Sequence, residues 1–179
     1  IGGLLIGAMA LLFPQVMGVG YDSINHALHG DTIWHIAFLL IFLKIIATSI
    51  TLGSGGSGGI FAPSLFLGAM TGVGFGSFVH DYFPTIAATP GAYALVAMGG
   101  LVAATTHAPI TAIIIVFELT NDYRIILPLM IVCIISTIVS QKFSRESIYT
   151  LKLVQRNIHI KDGAEINVMK SIFVKDVYT

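Results

Sequence analysis

Charge is what this 179-residue chain has least of: nine Lys and Arg balance nine Asp and Glu, and only 10% of residues are charged. Soluble domains carry about 25%, while hydrophobic residues here reach 55%, which excludes an ordinary soluble domain and points to a chain solvated by lipid. Net charge is zero, so no nucleic-acid partner is expected. Basic residues are almost missing from the first two thirds, where Lys44 stands alone before Arg124. Cysteine occurs once, at Cys133, which rules out an internal disulfide and any cysteine-based metal cluster. No Asn-x-Ser/Thr acceptor is present. The opening Ile1-Gly2-Gly3 has no initiator Met, basic n-region or cleavage site, so it is not read as a signal peptide and the chain is expected to start inside a longer protein.

What is present is a succession of apolar runs. Ile1 to Phe13 is too short to span a bilayer core of about 30 Å and reads as the tail of a helix. Pro14 to Gly30 is a polar loop or surface helix without Lys or Arg. Its His26 and His29 lie three apart but lack a third ligand, and they read as solvated. Ile33 to Leu52 has the length of one span, and its lone Lys44 is expected to snorkel or to face protein, with anion guidance as the lesser alternative. Ile60 to Val79 returns, carrying Gly68, Gly72, Gly74 and Gly76 at a spacing that lets helices approach closely. His80 to Gly91 is a second loop free of Lys and Arg. Ala92 to Thr106 and Ala108 to Thr120 are each too short to cross comfortably, and they read as a broken pair separated by His107 and Pro109. The alternative there is one span kinked by proline. Asn121 to Arg124 is a polar turn, and Ile125 to Val139 is the last long apolar helix. Lys142, Arg145, Lys152 and Arg156 then cluster, which puts this end in the cytoplasm and the whole in a plasma (inner) membrane.

One stretch departs from the apolar pattern. Gly53 to Pro63 reads Gly-Ser-Gly-Gly-Ser-Gly-Gly-Ile-Phe-Ala-Pro, with five glycines in the first seven positions. Pro63 falls where a first helical turn tolerates a residue lacking an N–H, so a helix is expected to begin near Ile60. Its N-terminal N–H groups lack intrahelical partners and carry about half a positive elementary charge, enough to hold an anion without Lys or Arg. A flexible Gly/Ser linker is the plain alternative, but membrane-length segments on both sides favour an anion site at a broken helix.

These residues carry a resemblance. Gly59-Ile60-Phe61-Ala62-Pro63 resembles the G-x-F-x-P signature of the CLC family of chloride channels and proton-coupled chloride exchangers. His107-Ala108-Pro109-Ile110-Thr111, Phe117-Glu118-Leu119-Thr120 and Ser147-Ile148-Tyr149 follow in the order of that family's C-terminal half. The resemblance implies an all-α membrane protein, a polytopic bundle with broken and re-entrant helices forming half of an inverted repeat over residues 1–156. It implies that Gly59, Ile60 and Phe61 bind a central chloride through backbone N–H groups and that the hydroxyl of Tyr149 donates to the same ion. Ala62, Pro63 and Glu118 belong to the structural motifs, with Glu118 at a helix end. A homodimer with one pore per subunit is implied, and no cofactor besides the transported chloride. Residues 157–179 are expected to be a cytoplasmic linker and the start of a CBS domain, since Val168 to Val177 resembles such an opening; a complete region of that kind could take nucleotide. A basic tail attracted to anionic lipid is the alternative.

A reading of another class is also open. Gly55-Gly56-Ser57-Gly58 matches the G-x-S-G of rhomboid-like intramembrane serine proteases, with His107 as base for Ser57. Ala108-Pro109-Ile110 breaks the small-residue pattern that rhomboids place after that histidine. Channel or exchanger stays undecided, and the protein is expected not to be an enzyme.

Overall fold

The computed structural model describes residues 2–29 and 34–154. The readings placed on residues 157–179, the CBS resemblance among them, lie outside the described residues. Contacts divide the chain into two units, Ile1–Arg145 and Glu146–Thr179, each described by itself.

The first unit is helical throughout, and no strand occurs among the described residues. Its elements are α1 (Gly2–Leu12), a 3-10 turn (Pro14–Val16), α2 (Tyr21–His29), α3 (Trp34–Gly53), α4 (Phe61–Tyr82), α5 (Pro90–Thr106), α6 (Pro109–Thr120), a second 3-10 turn (Tyr123–Ile125) and α7 (Ile126–Phe143). Three stretches are long and apolar enough to cross a membrane: Trp34–Gly53, Phe61–Tyr82 and Tyr123–Phe143. α1, α5 and α6 are apolar but shorter.

The expected break between α5 and α6 is present. His107 takes a left-handed conformation with φ of 57° and caps α5 by donating its N–H to Ala103 O at 2.9 Å. Pro109 then opens α6 at a position where a missing N–H is harmless. Asn121 ends α6 in the same left-handed way, and the Asp122 carboxylate accepts the Arg124 N–H at 2.9 Å to shape the turn into α7. The loop expected over His80 to Gly91 is shorter than its polar residues suggested. α4 continues through His80 and Asp81 to Tyr82, and Pro90 already starts α5.

α4 is the central element, with Phe66, Ala69, Met70 and Val73 fully buried. It packs against α5 along Gly68, Gly72 and Gly76. A Cβ at Gly68 would lie 2.6 Å from Met98 Cα, one at Gly72 would lie 2.5 Å from Tyr93 O, and one at Gly76 would lie 2.9 Å from Pro90 Cα. Backbones approach this closely only where side chains are absent, which is how helices associate in lipid without a hydrophobic drive. Gly74 takes no part, since a Cβ there would meet nothing.

Hydroxyls join α5 to α7. Ser136 Oγ donates to Gly100 O at 2.8 Å, Thr137 Oγ1 to Ala103 O at 3.3 Å and Ser140 Oγ to Ala104 O at 2.7 Å. Cys133 lies buried on this face beside Leu129, the apolar helix position expected of it.

In the second unit, α8 (Leu151–Val154) follows a turn closed reciprocally. The Ser147 N–H donates to Thr150 Oγ1 at 2.9 Å and the Thr150 N–H to Ser147 Oγ at 3.3 Å.

Candidate functional site

The glycine stretch has two parts with different duties. Its first half ends α3. Gly55, at φ of +80°, donates its N–H to Leu52 O at 3.2 Å, and Gly56 donates to Thr51 O at 2.9 Å. These two bonds close a helix C-terminus around one left-handed residue, for which glycine is the least strained choice. A Cβ at Gly56 would fall 2.9 Å from Thr51 O, so that glycine too is required by close approach. Its second half, Ser57 to Gly59, is exposed. A Cβ at Gly59 would meet nothing within this chain, so local packing does not dictate its small size.

α4 begins at Phe61 with Ile60 as its cap residue, and no side chain caps it. Ser64 is the first residue to close a helical bond, its N–H reaching Ile60 O at 3.1 Å, and its buried hydroxyl donates to the same oxygen at 2.9 Å. Pro63 has no N–H. The N–H groups of Ile60, Phe61 and Ala62 therefore have no acceptor among the described residues. An uncapped start with three adjacent free donors holds the positive end of the dipole of a 22-residue helix. Ile60 and Phe61 are half-buried, and the Phe61 ring packs against the core.

A cavity of about 350 Å³ adjoins this end of α4. Ser57, Gly58, Gly59, Ala62 and Pro63 contribute to one side, α1 and the Pro14 to Val19 segment to others, and Lys44, Thr48 and Thr51 of α3 to another. Lys44 does not snorkel: it is only 2% exposed. Its Nζ donates to Val16 O at 2.8 Å and to Gly18 O at 2.7 Å, and it lies 4.8 Å from the centroid of the Phe66 ring. The irregular segment after Pro14 frees carbonyls inside the unit, and a cation there satisfies them. Sequence reasoning singled out Lys44 but not its partners, because carbonyls freed by a turn leave no residue-type signature.

The remaining candidates lie elsewhere. Glu118 is exposed on α6, two residues before its end, and forms no hydrogen bond or ion pair among the described residues. Tyr149 belongs to the second unit, in the turn before α8, and is 54% exposed. Ser57 lines the cavity, whereas His107 Nε2 lies 3.4 Å from Ser140 Oγ. No bond joins Ser57 to His107, and nothing supports the protease reading. His26 and His29 join no cluster of three or more metal-binding side chains among the described residues.

Comparison with known proteins identifies the family. Residues 1–141 match the family described as voltage gated chloride channel. The chain is 40% identical over 155 residues to a ClcB-like protein of Ralstonia nicotianae, covering 87% of this chain and 36% of that one. It is 40% identical over 158 residues to the H(+)/Cl(-) exchange transporter ClcA of Vibrio parahaemolyticus, covering 88% of this chain and 33% of the relative. Among solved structures, a slow cyanobacterial Cl-/H+ antiporter superposes with a TM-score of 0.68 at 34% identity, over 75% of this chain and 32% of that one. The chain thus spans about a third of the length of the relatives it matches.

Proposed function

This chain belongs to the voltage-gated chloride channel family, and from that premise we propose that it forms one wall of a transmembrane pathway for chloride. The observation that carries the reading is the start of α4, where the N–H groups of Ile60, Phe61 and Ala62 meet no acceptor among the described residues. An anion leaving water must exchange its hydration shell for donors, and the exchange must be partial or the ion does not leave again. Neutral backbone dipoles meet that demand better than a contacting Lys or Arg would. A hydrogen bond to a charged partner contributes roughly 1.5 to 3 kcal/mol, so two or three bind without trapping.

In this reading Gly59 keeps the approach clear, Ile60 and Phe61 donate, Pro63 sets the first turn, and the hydroxyl of Tyr149 is a further donor to the anion. Glu118 is a structural residue at a helix end. The relatives include an exchange transporter and an antiporter, and this chain acts as part of a passive channel or of a proton-coupled exchanger rather than as an enzyme. In the same reading residues 1–156 are the C-terminal half of the membrane domain, and 157–179 are a cytoplasmic linker and the start of a CBS domain. The C-terminus is cytoplasmic in a plasma membrane, because the basic residues gather there. Two copies pair through apolar faces that α6 and α7 leave exposed, Ile110, Ile114, Leu127, Ile131 and Ile134 among them.

The test is flux. The complete protein in liposomes passes chloride, and Tyr149→Phe weakens chloride binding or loosens coupling. Transport and binding unchanged by Tyr149→Phe would remove that residue from the site. Liposomes that pass no chloride would overturn the reading as a whole.

A further inference from the structure

Lys44 carries a charge that nothing in the backbone chemistry above requires. Its side chain is 2% exposed on a membrane-length helix, where a cation is expensive even when partnered. The surroundings suit a cation: two carbonyl oxygens at 2.8 and 2.7 Å and the face of Phe66. The same contacts tie three elements together. Lys44 is on α3, its acceptors Val16 and Gly18 are on the segment between α1 and α2, and Phe66 is on α4. Gly20, with φ of +80°, brings that segment against the Phe66 ring, where an added Cβ would fall 2.5 Å from Cδ2. The lysine is therefore held, not free to swing outward.

The cavity beside it holds ionisable side-chain charge of one sign only. Lys44 is the one ionisable residue among the lining residues, and Gly59 and Ala62, which flank the donors Ile60 and Phe61, line the same cavity. The other lining side chains are aliphatic, thioether and hydroxyl groups, with glycines between them. Thr48 and Thr51 spend their protons on Lys44 O and Ala47 O, so those hydroxyls offer no donors in competition. A cleft with apolar walls and charges of a single sign focuses its field on whatever occupies it. Two carbonyls alone would be satisfied by a neutral donor such as Gln, whereas a field of this sign needs the ammonium.

We propose that Lys44 is a positioning residue whose fixed, buried charge sets the affinity of the anion held at the start of α4, acting across the cavity without touching the ion. The proposal rests on reading that helix start as the anion site. Its occupant is a small monovalent anion, and chloride itself is the probe.

The experiment uses the complete protein, purified in detergent, with chloride binding followed by calorimetric titration and folding followed by thermal denaturation. Lys44→Gln keeps neutral donors for Val16 O and Gly18 O and removes the charge; it weakens chloride binding at least tenfold. Lys44→Arg keeps the charge and stays within threefold of the parent. Thr48→Glu leaves Lys44 in place and adds a carboxylate to the same cavity one turn along α3, and it too weakens binding tenfold. This second variant carries the test should Lys44→Gln fail to fold. Lys44→Gln that loses thermal stability but binds chloride as the parent does would show a purely structural lysine and overturn the proposal, as would unchanged binding in Thr48→Glu. A parent protein that binds no chloride would overturn the site reading itself, a distinguishable failure.

Discussion

The α4–α5 contact allows a prediction that turns on two glycines two residues apart. Gly72 is buried, and a Cβ there would fall 2.5 Å from Tyr93 O, 2.6 Å from Ala94 Cα and 2.8 Å from Ala94 N. All three are backbone atoms, so no side chain can rotate away. Ordinary carbon contacts lie near 3.5 to 4.0 Å, so Gly72→Ala must separate the helices by roughly 1 Å. α5 cannot yield freely, because it accepts hydroxyl bonds from Ser136, Thr137 and Ser140 on its α7 side. Overpacking of this kind destabilises by about 1 to 3 kcal/mol, which outweighs the helix-propensity gain of up to about 1 kcal/mol from replacing Gly by Ala. At Gly74 an added Cβ meets nothing within 4 Å, so only the propensity term remains. Thermal denaturation of the complete protein in detergent is expected to show Gly72→Ala melting lower than the parent and Gly74→Ala melting no lower. Equal effects at the two positions would refute the packing argument.

Two further expectations concern helix ends and the membrane interior. Gly55→Ala places a Cβ at φ of +80°, a conformation that disfavours L-residues by about 1 to 2 kcal/mol; it should lower the melting temperature, while Gly53→Ala, in the last helical position with open space around it, should not. Ser140→Ala removes the 2.7 Å bond to Ala104 O and the 3.4 Å contact with His107, and a loss of about 0.6 kcal/mol is typical of one interhelical hydroxyl bond in a membrane. A denaturation midpoint unchanged by Ser140→Ala would show that lipid-phase alternatives already satisfy the Ala104 carbonyl.

Much of this architecture was legible in the order of residues because lipid imposes simple rules. Span lengths follow from bilayer thickness, so α3, α4 and α7 could be drawn from apolar runs alone. The break at His107 was marked by Pro109 and by the shortness of the pieces on either side. Loop edges were less legible: His80 and Asp81 look like loop residues, yet α4 carries them to Tyr82, since a helix end emerging toward water tolerates polar side chains. The glycine stretch was legible as one object but not as two. Spacing alone does not separate Gly55 and Gly56, which close α3, from Gly59, whose surroundings are open. Lys44 shows the opposite limit. A lone lysine in a span signals snorkelling by composition, and only the fold shows it buried, with the carbonyls of Val16 and Gly18 at 2.8 and 2.7 Å.

The central claim is that backbone N–H groups at the start of α4 hold the anion, and the most direct measurement removes such a group without changing a side chain. Replacing the amide N–H of Phe61 by an ester oxygen in the complete protein deletes one donor that forms no bond within the described residues, but it also weakens the Ile60 carbonyl that accepts from Ser64; the same exchange at Ile60 alters the Gly59 carbonyl, which accepts no bond there, and serves as the control. Loss of a hydrogen bond to a charged partner, about 1.5 to 3 kcal/mol, corresponds to chloride binding weakened by roughly 10- to 150-fold. The account predicts that loss in a calorimetric chloride titration, with thermal stability retained in the Ile60 control. Chloride affinity equal to the parent's, in the ester-bearing protein at Phe61 and again at Ile60, would contradict it.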